Sequence, residues 1–228
     1  MEGSLVLGKR LEAIASLIKG KYLIDVGSDH GKLPIFLLCN NLLSHAIATD
    51  VNELPLKKAE NAAKSFSVTD MEFILADGLK LPKAKILQSS DIVIAGMGGE
   101  LIADILKNSE TDLLLGKNLI LQPMTRPEKL REFLTINGFT TVKETVVFEN
   151  NKYFIIIQCE YTKERTVCLP EKIYLGKLDN NDKTVRDYIE DRIKQLSFVV
   201  KEIKKSESAD VPKEIFDQLE VYNSFLKR

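Results

Sequence analysis

The sequence has little of what metal sites and disulfide frameworks require. Its 228 residues include three cysteines and two histidines. Cys39, Cys159 and Cys168 have no metal-binding spacing and stand in apolar surroundings, so we expect reduced core thiols in a cytoplasmic protein. With only His30 and His45 to add, a zinc site would have almost no ligands, and no metal is expected.

Long apolar runs and an excess of one charge are also missing. No stretch approaches the roughly 18 apolar residues of a membrane span. Residues 1–10 lack the basic start and apolar run of a secretion signal, so no membrane association is expected. The 32 basic residues are balanced by 33 acidic ones. This excludes a protein that is basic throughout, although a local basic face could still bind nucleic acid.

The first 160 residues alternate short apolar strands with amphipathic helices. The predicted strands are 22–26, 46–50, 71–75, 91–95, 118–122, 140–148 and 153–161, and the predicted helices are 8–19, 33–43, 53–66, 99–107 and 127–137. This alternation predicts parallel β-α-β units with helices on both sheet faces, closed by an antiparallel hairpin. The expected fold is therefore α/β, a doubly wound and mostly parallel sheet with its ligand crevice outside the carboxyl strand ends.

The rest of the chain follows a different period. Across residues 181–205, and again across 215–226, apolar side chains recur every three or four positions. The segment 206–210 breaks the pattern between them. Two helices with one apolar stripe each predict an antiparallel, coiled-coil-like hairpin. The expected domains are residues 1–161, which form the α/β domain, and residues 162–228, which form a helical connector and the hairpin.

The turn after the first strand is the first candidate site. It opens a helix whose free N–H groups could meet a ligand. It has the pattern G-x-x-x-G rather than the G-x-G-x-x-G of dinucleotide sites, and an acid inside it would repel pyrophosphate but suit a cationic ligand. Alone, the pattern is equally typical of an ordinary tight turn. The candidate cofactor-binding residues here are Asp25, Gly27, Ser28, Asp29, His30 and Gly31.

Two further acids follow strands. Asp50, followed by Val51, ends the second strand, where an acid accepts hydrogen bonds from ribose hydroxyls. Asp77, followed by Gly78 and Leu79, could accept a hydrogen bond from an adenine amino group. Each alone also fits a solvated carboxylate or an Asp-Gly turn. Together, three acids at strand ends and no phosphate-binding lysine pattern favour S-adenosylmethionine, whose sulfonium is cationic, over ATP or NAD.

A glycine cluster and a glutamine complete the candidate crevice. Gly96, Met97, Gly98 and Gly99 follow the fourth strand and expose backbone, against which a flat base could lie. A flexible turn could have the same composition, although the glycines cost conformational entropy. After the fifth strand, Gln122 could hydrogen-bond a base edge, or it could belong to a plain turn before the next helix.

Four segments of the chain are similar to a known family. They are residues 23–35, 51–53, 96–102 and 119–123. In this order they resemble the bacterial tRNA (adenine(22)-N1)-methyltransferase family, over about residues 5–161. The resemblance implies a Rossmann-like class I methyltransferase fold with a C-terminal α-helical coiled-coil hairpin.

The resemblance also implies an activity, the transfer of a methyl group from S-adenosylmethionine to N1 of adenine-22 in the D-arm of tRNA. The N1 lone pair can attack a methyl group in line, so positioning is most of the task. Asp29 is the candidate for stabilising the cationic product, with Gly96, Met97, Gly98 and Gly99 as the other catalytic candidates. Adenine-22 lies inside folded tRNA, so we expect the base to be extruded before it reacts.

Contacts with tRNA are expected mainly from basic residues. The candidates are Arg10, Lys32, Gln122, Arg126, Lys201, Lys204 and Lys205. Two alternatives stay open, a methyltransferase that acts on another substrate and a non-catalytic, RNA-binding scaffold of the same fold. The three crevice acids disfavour the scaffold. We expect a monomer, with a weak dimer as the alternative.

Overall fold

The structure, a computed structural model, describes residues 5–28, 30–205 and 210–228. Asp29 lies outside the described residues, and so do residues 206–209 of the break expected between the last two helices. Among the helices that are described, none combines the length and apolar character needed to cross a membrane.

One seven-stranded sheet organises the described part of the chain. Its strands are β1 (Tyr22–Val26), β2 (His45–Asp50), β3 (Met71–Leu75), β4 (Asp91–Gly98), β5 (Asn118–Thr125), β6 (Phe139–Glu149) and β7 (Lys152–Tyr161). They lie in the order β3-β2-β1-β4-β5-β7-β6. The first five strands are parallel, and β7 pairs antiparallel with both β5 and β6. The predicted doubly wound, mostly parallel sheet is confirmed.

Helices cover both faces of the sheet. They are α1 (Lys9–Ala15), α2 (Lys32–Cys39), α3 (Glu53–Ser65), α4 (Lys83–Gln88), α5 (Gly99–Lys107), α6 (Pro127–Ile136), α7 (Pro170–Tyr174), α8 (Lys183–Lys205) and α9 (Lys213–Leu226), with a 3-10 turn at Thr111–Leu114. Alternate residues of β1 face opposite cores: Leu23 packs with α1, α2 and α3, and Ile24 packs with α4, α5, α6 and the C-terminal helices. Because both faces are buried, the central strands are continuous apolar runs.

The structure corrects two predicted strand ends. β4 continues to Gly98 and β5 continues to Thr125, because the two strands stay paired across bulges around Met97. The turn expected between Ala95 and the next helix is therefore wrong, and so is the plain turn considered after Gln122. Bulges in neighbouring strands re-aim the backbone at this edge of the sheet.

Two helical predictions are also corrected. The helix expected over residues 33–43 ends at Cys39, and Asn41 has a left-handed φ of +56°. α4 was not predicted, because it is a helix of only six residues with one buried side chain, Ile86. One buried residue cannot display a helical period.

Two C-terminal helices are present and pack against the remainder of the chain. Val185 of α8 and Tyr222 of α9 belong to the same apolar cluster as Ile24 of the sheet. Arg186, near the start of α8, donates a hydrogen bond to the carbonyl of Leu226 at the end of α9, at 3.2 Å, so the two helices run in opposite directions. The coiled-coil geometry and the division into two domains stay predictions.

A buried ion pair ties this C-terminal part to the sheet. The Nη2 of Arg131 on α6 lies 2.7 Å from Oε2 of Glu144 on β6, and both side chains are almost wholly buried. The Nη1 of Arg131 donates to the carbonyls of Ile173 and Tyr174, and the N–H of Lys177 donates to Glu144. Burial lowers the pKa of Arg131, but Glu144 outweighs it and the net pKa is raised. The pair therefore connects α6, β6 and the α7 region.

Breaking this ion pair should destabilise the protein strongly. Arg131→Met keeps the aliphatic stem but leaves the Glu144 carboxylate buried without its partner. We expect a loss of about 3–5 kcal/mol in the free energy of unfolding, measured by urea denaturation. Lys183→Met is the control, because the ion pair of Lys183 with Asp187 is exposed to solvent and its loss should change the free energy of unfolding little. Equal losses in the two variants would contradict this prediction.

Candidate active site

The order of the strands creates a crevice at the carboxyl ends of β1 and β4. From β1 the chain winds outward through β2 and β3, then crosses back to β4 on the other side. Doubly wound proteins bind ligands at such a switch point. A cavity of about 290 Å³ opens there. The predicted site residues that line it are Arg10, Asp25, Gly27, Ser28, His30, Gly31, Lys32 and Gly96.

The turn after β1 is held by hydrogen bonds to β2. The N–H groups of Gly27 and Ser28 both donate to the carbonyl of Thr49, at 2.8 and 3.1 Å. Gly27 has a φ of +74°, and a Cβ there would overlap the methyl group of Met97. The left-handed backbone conformation therefore requires glycine, whereas the Met97 methyl group ends a flexible side chain that could move aside. Met97, a predicted catalytic residue, lies against the turn after β1.

Asp25 is a buried carboxylate at the base of the cavity. It lies in register with Ala48 of β2 and Val93 of β4, in the middle of the sheet. Burial raises the pKa of its carboxyl to about 6, although a hydrogen bond from Ser28 and the charge of Arg10 oppose the shift. The Ser28 hydroxyl donates to Oδ2 at 2.5 Å. The carboxylate is thus a costly charge that a cationic ligand would stabilise.

Gln122 joins α1 to the glycine cluster. Its side chain is fully buried, and its Oε1 accepts hydrogen bonds from Arg10 Nη1 at 2.7 Å and from the Gly96 N–H at 3.2 Å. Its Nε2 donates to the carbonyl of Pro123 at 3.0 Å. The Arg10 guanidinium also lies 5.7 Å from the ring centre of Phe154. The tRNA contacts expected of Arg10 and Gln122 stay predictions, and Gln122 could reach a base only if these bonds broke.

The glycines of the cluster differ in what surrounds them. Gly96 has a φ of +80°, and a Cβ there would have only Arg10 Nη1 nearby, at 4.0 Å. At Gly98 a Cβ would lie 3.3 Å from Thr125 Oγ1, and at Gly99 it would overlap the carbonyl of Arg126. Gly99 therefore serves the packing of α5 against β5. Gly96 is the residue that leaves open space beside the cavity.

The other two acids are not among the residues that line the cavity. Asp50 ends β2, and its Oδ1 accepts a hydrogen bond from the Asn52 N–H at 2.8 Å, which leaves Oδ2 as an acceptor. Val51 is largely exposed. Asp77 forms an exposed ion pair with Lys80 at 2.6 Å. Asp77 and Leu79 line a separate recess of about 80 Å³, and Gly78 between them in the sequence does not line it.

The predicted tRNA-binding cations are spread over the molecule. Lys32 is exposed at the cavity, and Arg126 forms an exposed ion pair with Glu100. Lys201 and Lys204 are exposed near the end of α8, whereas Lys205 is paired with Glu202. The sequence alone did not mark Phe154, whose contact with Arg10 depends on tertiary structure. The described residues contain no cluster of three or more metal-binding side chains.

The raised pKa of Asp25 makes stability depend on pH. The unfolded carboxyl has a pKa near 3.8 and the folded one a pKa of about 6, so the folded state binds the proton more tightly. Stability contributed by this group therefore falls as pH rises from 3.8 to 6. We expect Asp25→Asn to raise the free energy of unfolding at pH 7.5 by about 2–3 kcal/mol, with the gain shrinking towards zero near pH 4.

Urea denaturation at both pH values would measure this gain. Asp70→Asn, at an exposed carboxylate before β3, is the control and should show no such change. A gain at Asp25 that is the same at both pH values would mean that the carboxylate is not the cause.

Comparison with known proteins and the architecture of the site both indicate a methyltransferase. The strand order, the glycine turn after β1 and the buried acid in the crevice are those of a class I methyltransferase. The family model described as a methyltransferase domain matches residues 7–157. The chain is therefore a member of the methyltransferase family.

Individual relatives show which methyltransferases the chain is similar to. The chain is 34% identical to the tRNA (adenine(22)-N(1))-methyltransferase of Bacillus subtilis, over 68% of this chain and 66% of that protein. It is 33% identical to a putative tRNA methyltransferase of Mycoplasma pneumoniae, over 72% and 76%. A putative tRNA (m1A22) methyltransferase of Streptococcus pneumoniae, solved with S-adenosyl-L-methionine, is 30% identical with a TM-score of 0.82, over 97% and 100%. The chain belongs to the tRNA (adenine(22)-N(1))-methyltransferase family.

Proposed function

We propose that this protein transfers a methyl group from S-adenosylmethionine to N1 of adenine-22 in the D-arm of tRNA. The observation that carries the proposal is the buried carboxylate of Asp25 in one cavity with the guanidinium of Arg10, at the switch point of the sheet. A carboxylate and a guanidinium suit the zwitterionic amino acid end of this cofactor. Similarity to tRNA (adenine(22)-N(1))-methyltransferases supports the same reaction.

The residues of the crevice fit this cofactor. Asp25 and the turn from Gly27 to Gly31 would hold the amino acid end, Asp50 would accept from the ribose, and the segment at Asp77–Leu79 would lie near the adenine. The buried Asp25 is destabilised by desolvation, and an ammonium group would offset that cost. When bound, S-adenosylmethionine supplies an electrophilic methyl group on its sulfonium.

The remaining work of the chain is to position the target adenine. Gly96 leaves open backbone beside the cavity, and Gln122 fixes that backbone through its hydrogen bond to the Gly96 N–H. A flat base can therefore approach a rigid surface, as in-line attack by N1 requires. The methylated ring carries a positive charge until its amino group loses a proton. We assign the stabilisation of that charge to Asp29.

The proposal extends to the whole chain. Lys201, Lys204 and Lys205 would hold the tRNA backbone by phosphate contacts, which position a substrate without reading its sequence. In this proposal α8 and α9 form a coiled-coil hairpin, and the protein acts as a monomer in the cytoplasm. Lys32 and Arg126 would meet the RNA closer to the crevice.

Mass mapping of a methylated tRNA transcript tests the reaction directly. The protein, S-adenosylmethionine and an unmodified transcript are incubated, and nuclease fragments are weighed. We expect one added methyl group on the fragment that contains adenine-22, and none on a transcript with guanine at that position. A methyl group elsewhere would favour the other-substrate alternative. Absence of cofactor binding by calorimetry, together with absence of methylation, would favour the scaffold.

Charge reversal at the end of α8 tests the phosphate contacts. Deleting the tail would be a poor test, because Val185 and Tyr222 lie in the core that the sheet shares. The double variant Lys201→Glu/Lys204→Glu should bind tRNA more weakly and lower the salt dependence of log K by about one unit per lysine. Lys57→Glu/Lys58→Glu on α3 is the matched control. Unchanged affinity and salt dependence would remove these lysines from the interface.

A further inference from the structure

A second groove, of about 860 Å³, lies beside the cofactor cavity and shares no lining residue with it. Its walls are the end of β5, the hairpin between β6 and β7, and the middle of α8. Its lining includes Met124, Arg126, Phe148, Tyr153, Phe154 and Asp191. We call this surface the hairpin groove.

Aromatic rings line the hairpin groove. The ring centres of Phe148 and Tyr153 lie 4.7 Å apart, and those of Tyr153 and Tyr188 lie 5.8 Å apart. Phe148 is 43% exposed and Met124 is 47% exposed, so two large apolar side chains face solvent at the groove. Exposed aromatic faces are the platforms on which proteins stack unpaired bases.

The hairpin groove adjoins the site of methyl transfer. Phe154 lines the groove, and the guanidinium that lies over its ring belongs to Arg10, which lines the cofactor cavity. Met124 Sδ, on the same wall, lies 3.5 Å from Nε2 of Gln122. A nucleotide chain that presents adenine at Gly96 would therefore run directly into this groove.

The charges in the hairpin groove suit base edges inside it and phosphates along its rim. Arg126, Lys152 and Arg192 face two acids, Glu128 and Asp191, so the groove is not a simple cationic surface. Each acid could accept hydrogen bonds from exocyclic amino groups of bases. Gln195 accepts from Arg192 Nη1 and donates to Asp191 Oδ2, both at 2.7 Å, which orients these two side chains. Lys152 is exposed and could reach the RNA backbone, and Arg126 is exposed but would have to exchange its ion pair with Glu100 for a phosphate.

We propose that the hairpin groove binds an unpaired base that neighbours the target adenine in the RNA strand, stacked on Phe148 and Tyr153. This inference rests on the proposed function. Extruding the target from a structured RNA unstacks its neighbours as well, at a cost of a few kcal/mol. Stacking on the groove offsets that cost and keeps the strand open while the reaction proceeds.

Replacing Phe148 tests the stacking. Phe148→Ala should weaken binding of the full-length tRNA transcript about tenfold, because base–aromatic stacking is lost. Affinity for S-adenosylmethionine should not change, and Phe148→Trp should restore tRNA binding. Phe216→Ala is the matched control, since Phe216 is 45% exposed on α9 outside the groove. Equal tRNA affinity of the Ala variant and the unchanged protein would overturn the proposal.

Photochemical cross-linking separates this proposal from the proposed function. A transcript with 4-thiouridine directly next to adenine-22 is irradiated with the full-length protein, and the linked peptide is identified. We expect the peptide that contains Phe148 to Phe154. Cross-links there without methylation of adenine-22 would keep the groove and refute the proposed reaction. Methylation with cross-links elsewhere, or capture of protein instead of RNA by this surface, would refute the groove.

Discussion

The hydrogen bonds of one buried amide hold the carboxyl edge of the sheet together. Gln122 lies on β5. Its Oε1 accepts hydrogen bonds from the Arg10 guanidinium of α1 and from the Gly96 N–H of β4. Arg10 in turn faces Asp25 in the cavity at the switch point and Phe154 in the hairpin groove. Since the amide is fully buried, losing it would remove this acceptor from both the Arg10 guanidinium and the Gly96 N–H. The geometry of both cavities therefore depends on the same side chain.

A second constraint fixes the position of α8, which forms one wall of the hairpin groove. The buried pair Arg131–Glu144 connects α6 and β6 to the α7 region, and α7 and α8 pack next to it through Tyr174 and Tyr188. Such a pair contributes little net stability compared with an apolar replacement, but its geometry is specific. We interpret it as a device that sets the position of the helices relative to the sheet. The hairpin groove, which lies between them, then has a defined width.

The sequence predicts what local periodicity encodes and misses what distant segments decide. The central strands and long helices were predicted because each buries a regular stripe or a continuous run. The extension of β4 to Gly98 depends on pairing with β5, and the contact of Arg10 with Gln122 spans 112 residues. No local pattern contains that information. The three acids were identified because the sequence predicts where strands end. The ion pair between Asp77 and Lys80 was not predicted.

The burial of Asp25 links binding to stability. A carboxyl whose pKa is raised to about 6 by desolvation is destabilising at neutral pH, since the folded state must hold the charge away from water. A fold without a ligand would gain from an amide at this position. A ligand with a positive group relieves the strain and stabilises the folded state according to its concentration and affinity. The destabilising charge of Asp25 is therefore best explained by a cationic ligand that the cavity binds.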